Sequence, residues 1–202
     1  MDVSRRSLEY AREAAAAESL PVHLIEGSYL EADLGSGFDA AILIYEDYCA
    51  LSPAQRLALL HRVRDALGPG GHVLFDVTSA TRFPEFDDER RVEEILGNGF
   101  WAPPPYLGVK ETWTYPELRL VLERYVITTR SGSQESAREG LPPAARDSRE
   151  STRKFWNWMQ CLTPDQVEAE LREAGLAVDG LYGDAAGTAY AADAPTFAVV
   201  AS

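Results

Sequence analysis

Apolar and polar residues follow one another in blocks that predict strands and helices in turn. The continuous apolar run Ala40–Tyr45 is typical of a strand buried on both faces. Residues Ser52–Gln55 then form a capping box with proline at the first helical position, and the helix they begin is predicted to end at Gly68. The segment HVLFDV reads as a second buried strand. Strand, helix and strand with short connections predict a βαβ unit with parallel strands.

The same patterns predict elements on both sides of this unit. SRRSLEYAREAAAAES predicts a helix capped by Ser4, and Thr163–Gln166 repeats the capping box with proline. The alternation in Val22–Ile25 predicts a short strand that turns at Gly27. LAVDGLYGD and PTFAVVAS predict a closing pair of strands. Strands and helices that alternate in this way predict an α/β fold.

The middle of the chain has a different pattern. KETWTYPE, LRLVLERYVITT and RKFWNWMQC predict antiparallel strands that are rich in aromatic residues. We therefore expect a single domain over residues 1–202, with an inserted β cover over residues 79–161. Residues 131–152 contain almost no apolar residue, which predicts an exposed, mobile loop inside the insertion.

Composition narrows the functional classes. A chain of 202 residues with 46% hydrophobic residues suits one domain, and its net charge of −13 offers no positive field for nucleic acid or an anionic membrane. Cys49 and Cys161 lie far apart without CxxC spacing, which favours a reducing cytoplasm. No apolar stretch is long enough to cross a bilayer, so a soluble protein with a small-molecule partner is expected.

Taken in order, four stretches resemble class I S-adenosylmethionine-dependent methyltransferases. They are DVSRRSLEYARE, FDAAILIYEDYCALSPAQRLALLHRVRDALGPGGHVLFDV, LREAGLAVDGLYGD and TFAVVAS. The resemblance implies a Rossmann-like sheet, S-adenosylmethionine as cofactor, and methyl transfer to a small-molecule acceptor. It also implies that Asp2 ends the second strand of the family sheet and hydrogen-bonds the ribose hydroxyls of the cofactor.

The chain departs from the family pattern ahead of Asp2. Family members have a first strand and a glycine-rich turn there, whereas the pair Gly35 and Gly37 lies before a strand and reads as a loop. The third strand of the family sheet, which corresponds to Val22–Ile25 here, would then have no strand to pair with on one side. A start-site error, with a valine codon read as Met1, would explain this, and about 40 to 70 upstream residues would restore the missing part. As given, the chain is expected to bind the cofactor weakly.

The resemblance assigns further residues near the cofactor. It implies that Ile44 and Tyr45 lie by the methionine part, with Asp47 and Tyr48 turned toward the acceptor. Ser28 stands where many relatives have an acidic residue that contacts adenine.

Aromatic residues supply the remaining candidates. Tyr29 is a candidate for stacking on adenine or for a place in the core. Trp101, Trp113 and Trp156 are candidates for an acceptor pocket, while Trp158 is expected to pack.

Two rival functions stay open from the residues themselves. A nicotinamide-dependent oxidoreductase would also use Asp2 on a ribose, but the double-glycine passage and the closing strand pair argue against it. A degenerate methyltransferase-like domain that binds a partner without catalysis is the other rival. His23, His61 and His72 lack the spacing of metal ligands, so no metal is expected.

Overall fold

The computed structural model describes residues 1–131 and 149–202, which divide into two compact units. Unit 1 comprises Met1–Val77 and Thr163–Ser202, and unit 2 comprises Thr78–Leu162. Most of the loop predicted over residues 131–152 lies outside the described residues. Its ends belong to strands, since Ser131 and residues 149–152 are extended and paired.

Three α-helices and eight strands make up the regular structure of the described residues. Unit 1 has one mixed sheet in the strand order β1-β2-β8-β7, and unit 2 has one antiparallel sheet in the order β3-β4-β5-β6. In chain order the elements are α1 (Arg5–Ala17), β1 (Phe38–Leu43), α2 (Pro53–Ala66), β2 (Leu67–Thr78), β3 (Glu89–Glu94), β4 (Tyr106–Tyr115), β5 (Leu120–Ser131), β6 (Arg149–Gln160), α3 (Pro164–Glu173), β7 (Val178–Tyr182) and β8 (Thr196–Ala201).

The helix starts follow the predicted caps. The Ser52 hydroxyl accepts the Gln55 N–H at 3.3 Å, and the Gln55 side chain accepts the Ser52 N–H at 2.9 Å. Thr163 and Gln166 form the same reciprocal box at the start of α3. The end of α2 differs from the prediction, because the helix stops at Ala66 and LGPGG already belongs to β2.

Strand β1 lies at the edge of its sheet, and its residues are exposed or half-buried, so the prediction of a strand buried on both faces is wrong. It pairs with β2 in parallel, and Gly71 permits that close approach because a Cβ there would lie 2.6 Å from the Phe38 carbonyl oxygen. On the side away from β2, no described strand pairs with β1. Ile42 is 65% exposed as a result.

The strand predicted over Val22–Ile25 is also absent from the described residues. One parallel bridge joins Asp2 to Glu26, and the rest of the segment has no strand pairing. A segment in which apolar and polar residues alternate forms a strand only beside other strands, because two strands on their own are only marginally stable.

Unit 2 confirms the predicted antiparallel β insertion. Its first face, here called the packed face, presents Tyr106 from β4 and Ile127 from β5, over which Leu96 and Ala102 form a buried core. Gly108 lies on this face and has no room for a side chain, since a Cβ would lie 2.4 Å from Leu96 Cβ. The opposite face, here called the open face, carries several exposed apolar side chains.

In unit 1 the core lies between the sheet and the helices α2 and α3. Its largest fully buried apolar side chains are Leu60, Phe75, Val77, Val167, Leu171, Phe197 and Val199. Arg56 is also buried, and its guanidinium binds both carboxylate oxygens of Glu170 at 2.7 and 2.8 Å, which ties α2 to α3. No helix among the described residues is long and apolar enough to cross a membrane.

Candidate functional site

A cavity of about 940 Å³ runs along β1 and the loop that follows it, entirely within unit 1. Apolar side chains from β1, β2 and α2 form most of its lining. The cavity brings together all of the site residues that the sequence predicted in this unit, namely Asp2, Ser28, Tyr29, Ile44, Tyr45, Asp47 and Tyr48.

Backbone hydrogen bonds hold Asp2 just before the N-terminus of α1. Its N–H donates to the Ile25 carbonyl at 3.1 Å, and its own carbonyl accepts the Gly27 N–H at 3.0 Å. The carboxylate oxygen Oδ1 accepts the Ser4 N–H at 2.7 Å. The other oxygen, Oδ2, has no hydrogen-bond partner within the described parts of the chain. A ligand hydroxyl could therefore donate to it.

Asp47 and Asp76 add negative charge to this end of the sheet. Partial burial, then the charge of Asp76 and then that of Asp2, raise the pKa of the Asp47 carboxyl above its ordinary value. Asp76 was missed by sequence reasoning, although an aspartate at the end of the apolar run HVLFDV was a usable signal. The three carboxylates create a local potential that attracts a cation.

Asp76 also shapes the loop after β1. Its carboxylate accepts the N–H groups of Tyr45 at 3.1 Å and Glu46 at 2.8 Å. Both residues have left-handed backbones, with φ of 71° and 61°. Such a conformation is costly for residues other than glycine and tends to occur at functional sites. The loop therefore keeps Tyr45 88% exposed at the rim, next to Ile44.

Ser28 and Tyr29 lie on a tight turn that also lines the cavity. The Ser28 carbonyl accepts the Ala32 N–H at 2.8 Å, and the Ser28 hydroxyl accepts the Leu30 N–H at 3.2 Å. Arg62 reinforces the turn by donating to the Tyr29 carbonyl at 3.2 Å. Burial, and after it the charge of Asp47, raise the pKa of the Tyr29 phenol, so its ring and that carboxylate are near each other.

Tyr48 departs from its predicted role. Its side chain is 1% exposed, its ring stacks on Phe75 at 4.4 Å, and its hydroxyl donates to Glu170. Burial, and then the hydrogen bond to Glu170, raise the pKa of the phenol. Because the hydroxyl is engaged with Glu170, it is not turned toward an acceptor as the resemblance implied.

The predicted tryptophans lie in unit 2 and divide between its two faces. Trp101 packs against Tyr125 and Phe155 on the packed face, with ring centroids 4.4 and 5.0 Å apart. Trp113 and Trp156 lie on the open face with centroids 6.4 Å apart. A role for these three side chains in binding an acceptor stays a prediction.

The fourth tryptophan, Trp158, is more exposed than the sequence predicted. Trp158 is 45% exposed on the open face, although it was expected to pack. Within residues 1–131 and 149–202, no group of three or more histidine, cysteine, aspartate or glutamate side chains is arranged to hold a metal ion.

Known proteins resemble this chain in sequence and in fold. Residues 1–71 match the family model described as a methyltransferase domain. The carboxy-S-adenosyl-L-methionine synthase of Pseudomonas syringae is 28% identical over 163 residues, covering 78% of this chain and 57% of that protein. The chain thus spans little more than half the length of this curated relative.

Two solved structures share the fold. A methyltransferase from Clostridium acetobutylicum, described as S-adenosylmethionine-dependent, superposes with a TM-score of 0.69 at 11% identity, covering 98% of this chain and 72% of that one. The CcbJ methyltransferase from Streptomyces caelestis superposes with a TM-score of 0.65 at 15% identity, covering 98% and 71%. These likenesses confirm the predicted α/β, Rossmann-like architecture. The matched methyltransferase domain covers residues 1–71, which include most of the cavity lining. In sequence and in fold, the chain therefore resembles the class I S-adenosylmethionine-dependent methyltransferases.

Proposed function

We propose that unit 1 binds S-adenosylmethionine in the cavity beside β1 and transfers its methyl group to a small-molecule acceptor. The observation that carries the proposal is the convergence of Asp2, Tyr29 and Asp47 on one cavity, from three separate segments of the chain. When bound, the cofactor would supply an electrophilic methyl group on a sulfonium. Positioning of the acceptor behind that group, with water excluded, is the main task left to the protein.

The residues present suit the proposed cofactor. Ligand pockets usually measure about 300–1,000 Å³, and the cavity of about 940 Å³ is at the upper end of that range. Asp2 offers a free carboxylate oxygen for ribose hydroxyls, and Tyr29 offers an aromatic face for a base. The carboxylates around Asp47 favour a positively charged sulfonium.

Charge also favours a particular acceptor. Within residues 1–131 and 149–202, no lysine or arginine lines the cavity, while Asp2 and Asp47 do. An anionic acceptor would be repelled there, whereas an amine could donate hydrogen bonds to Asp47. We therefore infer a neutral or amine acceptor, and neither a nucleic acid nor an acidic metabolite.

We further propose that the 202-residue chain holds the cofactor weakly. Along the open side of β1, Ile42 is 65% exposed and Tyr45 is 88% exposed, so this wall of the cavity encloses little. Less enclosure means less apolar surface removed from water on binding. A dissociation constant well above the micromolar range is expected.

Similarity to carboxy-S-adenosyl-L-methionine synthases favours a second candidate, in which the chain makes a carboxylated form of the cofactor. That product carries an extra negative charge. Because the described part of the cavity lining contains carboxylates and no cationic side chain, no side chain there would pair with that charge. Mass spectrometry of the cofactor after reaction would separate the candidates, since methyl transfer leaves S-adenosylhomocysteine.

Titration calorimetry with S-adenosylmethionine tests the proposed site. Asp2→Asn should weaken binding by about 10-fold or more, because a charge-assisted hydrogen bond contributes about 1.5–3 kcal/mol. Asp39→Asn is the matched control, since Asp39 lies on exposed β1 outside the cavity lining. It should bind as the unmodified chain does.

Each alternative outcome has a definite meaning. Equal binding by Asp2→Asn and the unmodified chain would contradict the role of Asp2. Micromolar affinity would contradict the weak-binding proposal alone. Binding of a nicotinamide dinucleotide in place of S-adenosylmethionine would favour the oxidoreductase, and binding of neither would favour the degenerate domain.

A further inference from the structure

The open face of unit 2 is a largely apolar sheet surface on which Leu122 is buried while several larger side chains stay exposed. Direct cross-strand partners share a face, so the register defines its members. They are Arg90, Val92, Glu94, Leu107, Val109, Glu111, Trp113, Tyr115, Leu120, Leu122, Arg124, Val126, Thr128, Thr152, Lys154, Trp156, Trp158 and Gln160.

Several large apolar side chains on this face are exposed to solvent. Trp156 is 52% exposed, Val92 is 47% and Leu107 is 43% exposed. Sheets of globular proteins normally bury one face and hydrate the other, yet the packed face of this sheet is already covered by its own core. A second apolar face is therefore in excess of what folding of unit 2 needs, and such patches usually mark an interaction surface.

We propose that the open face is the interface of a symmetric dimer, with a second copy of this chain as its occupant. The first argument is charge. The chain carries a net charge of −13, which repels a second copy over most of its surface. The open face instead carries three cations, Arg90, Arg124 and Lys154, against two carboxylates, Glu94 and Glu111. Two copies can meet there without the general repulsion.

The charges on the face are also largely neutralised internally. Arg124 Nε donates to Glu111 Oε2 at 2.6 Å, and Arg90 Nε lies 3.6 Å from Glu111 Oε1. The Arg124 guanidinium carbon lies 5.6 Å from the Trp113 ring centroid and 5.4 Å from that of Trp156. Tryptophan and arginine are the side chains most enriched in the energetic centres of protein interfaces.

The size of the face suits a dimer. Four strands about 4.8 Å apart and about nine residues long make a face of roughly 500–600 Å², so two faces would bury on the order of 1,100 Å². A specific interface needs about 1,000 Å². Because a two-fold axis brings the same patch of each copy together, the tryptophans of one copy would meet those of the other.

Sedimentation velocity from low micromolar to several hundred micromolar protein tests the proposal, and it is independent of any methyl transfer. The unmodified chain should reversibly form a dimer. The double variant Trp156→Glu, Trp158→Glu should raise the dimer dissociation constant on the order of 100-fold, because each copy brings two charges to the axis. Both side chains are about half exposed, so the variant keeps its fold, which circular dichroism would verify.

Further variants keep the test decisive. Val92→Lys, on β3 of the same face, should also weaken the dimer. Two controls at exposed apolar sites elsewhere, Phe100→Glu in unit 2 and Ile42→Glu on the edge of unit 1, should leave it intact. A chain that is monomeric at every concentration overturns the proposal. So does a dimer that survives both open-face variants, or one that only Ile42→Glu dissociates.

Discussion

In unit 2, Glu111 and Glu123 each lie on a strand beside a cation, whereas in unit 1 Asp2 and Asp47 line a cavity without one. Lys110 Nζ lies 2.6 Å from Glu123 Oε1, and Arg124 binds Glu111. Asp2 and Asp47 have no ion-pair partner within residues 1–131 and 149–202. Carboxylates that are paired within the fold stabilise it, while those left without a partner are available to a ligand.

The pKa values of Glu123 and Asp47 express this difference. Burial acts to raise the pKa of Glu123, but hydrogen bonds from Lys110, Tyr125 and Asn157 and the charge of Lys110 outweigh burial, and the pKa is lowered. Burial also raises the pKa of Asp47, and there the neighbouring carboxylates raise it further. Neutralising Glu123 should therefore lower the stability of the protein, whereas neutralising Asp47 should not lower it.

The largest expected effect concerns the buried ion pair between Arg56 and Glu170 in unit 1. Glu170 is an example of a carboxylate in that unit that stabilises the fold. Arg56→Ala should lower the free energy of unfolding by about 3–5 kcal/mol, because it leaves the largely buried Glu170 without its bidentate partner. Tyr48 also binds this carboxylate, so its ring should become less ordered. Denaturant unfolding followed by tryptophan fluorescence measures the loss.

Arg172→Ala is the matched control for this prediction. Arg172 pairs with Glu168 one helical turn away, and both side chains are more than half exposed. Its removal should cost about 0.5 kcal/mol or less. Similar losses for the two arginines would show that burial does not separate structural from surface pairs in this protein.

Local signals explain which parts of the fold were predictable. The caps of α2 and α3 depend on residues three positions apart, and both formed as predicted. An apolar run, by contrast, indicates a strand without indicating its neighbours. β1 therefore read as a buried strand, although it lies at the edge of the sheet and its residues are exposed or half-buried. The strand predicted over Val22–Ile25 did not form for the same reason, since strand pairing depends on the whole sheet and not on the local sequence.

In the candidate site, too, some features were predictable from the sequence and others depend on tertiary structure. The convergence of Asp2, Tyr29 and Asp47 on one cavity was expected from the resemblance and is present in the structure. The contact between Tyr48 and Glu170 spans 122 positions, so no local pattern could reveal that the Tyr48 hydroxyl is already engaged. Asp76 could have been noticed at the end of β2, but its bonds to the loop after β1 depend on tertiary structure.

The second prediction tests the paired carboxylate of unit 2. Glu123→Gln should destabilise the protein by about 1–3 kcal/mol, because Lys110 loses its counter-charge in a mostly buried position. The pKa of Glu123 lies below its ordinary value of 4.5, so its stabilising contribution is present above that pH and is lost as the pH falls through the lowered native pKa.

Unfolding curves between neutral pH and pH 3 measure this contribution. The difference between Glu123→Gln and the unmodified chain should shrink at the acid end. The control is Glu93→Gln, since Glu93 pairs with Arg91 at an exposed position of β3, and its effect should stay below about 1 kcal/mol. A Glu123→Gln chain as stable as this control would remove the contrast between the units.

The smallest expected effect has the opposite sign. Asp47→Asn should leave the protein as stable as before or more stable by a few tenths of a kcal/mol, since its partly exposed charge is screened by solvent. The native pKa is raised above the ordinary value of 3.8, so the ionised group opposes folding at neutral pH. This penalty should fade as the pH drops from the raised native pKa toward 3.8. The same variant should bind S-adenosylmethionine more weakly in calorimetry. Destabilisation without any loss of binding would mean that Asp47 is a structural carboxylate like Glu123, and the contrast between the two units would then fail at its central residue.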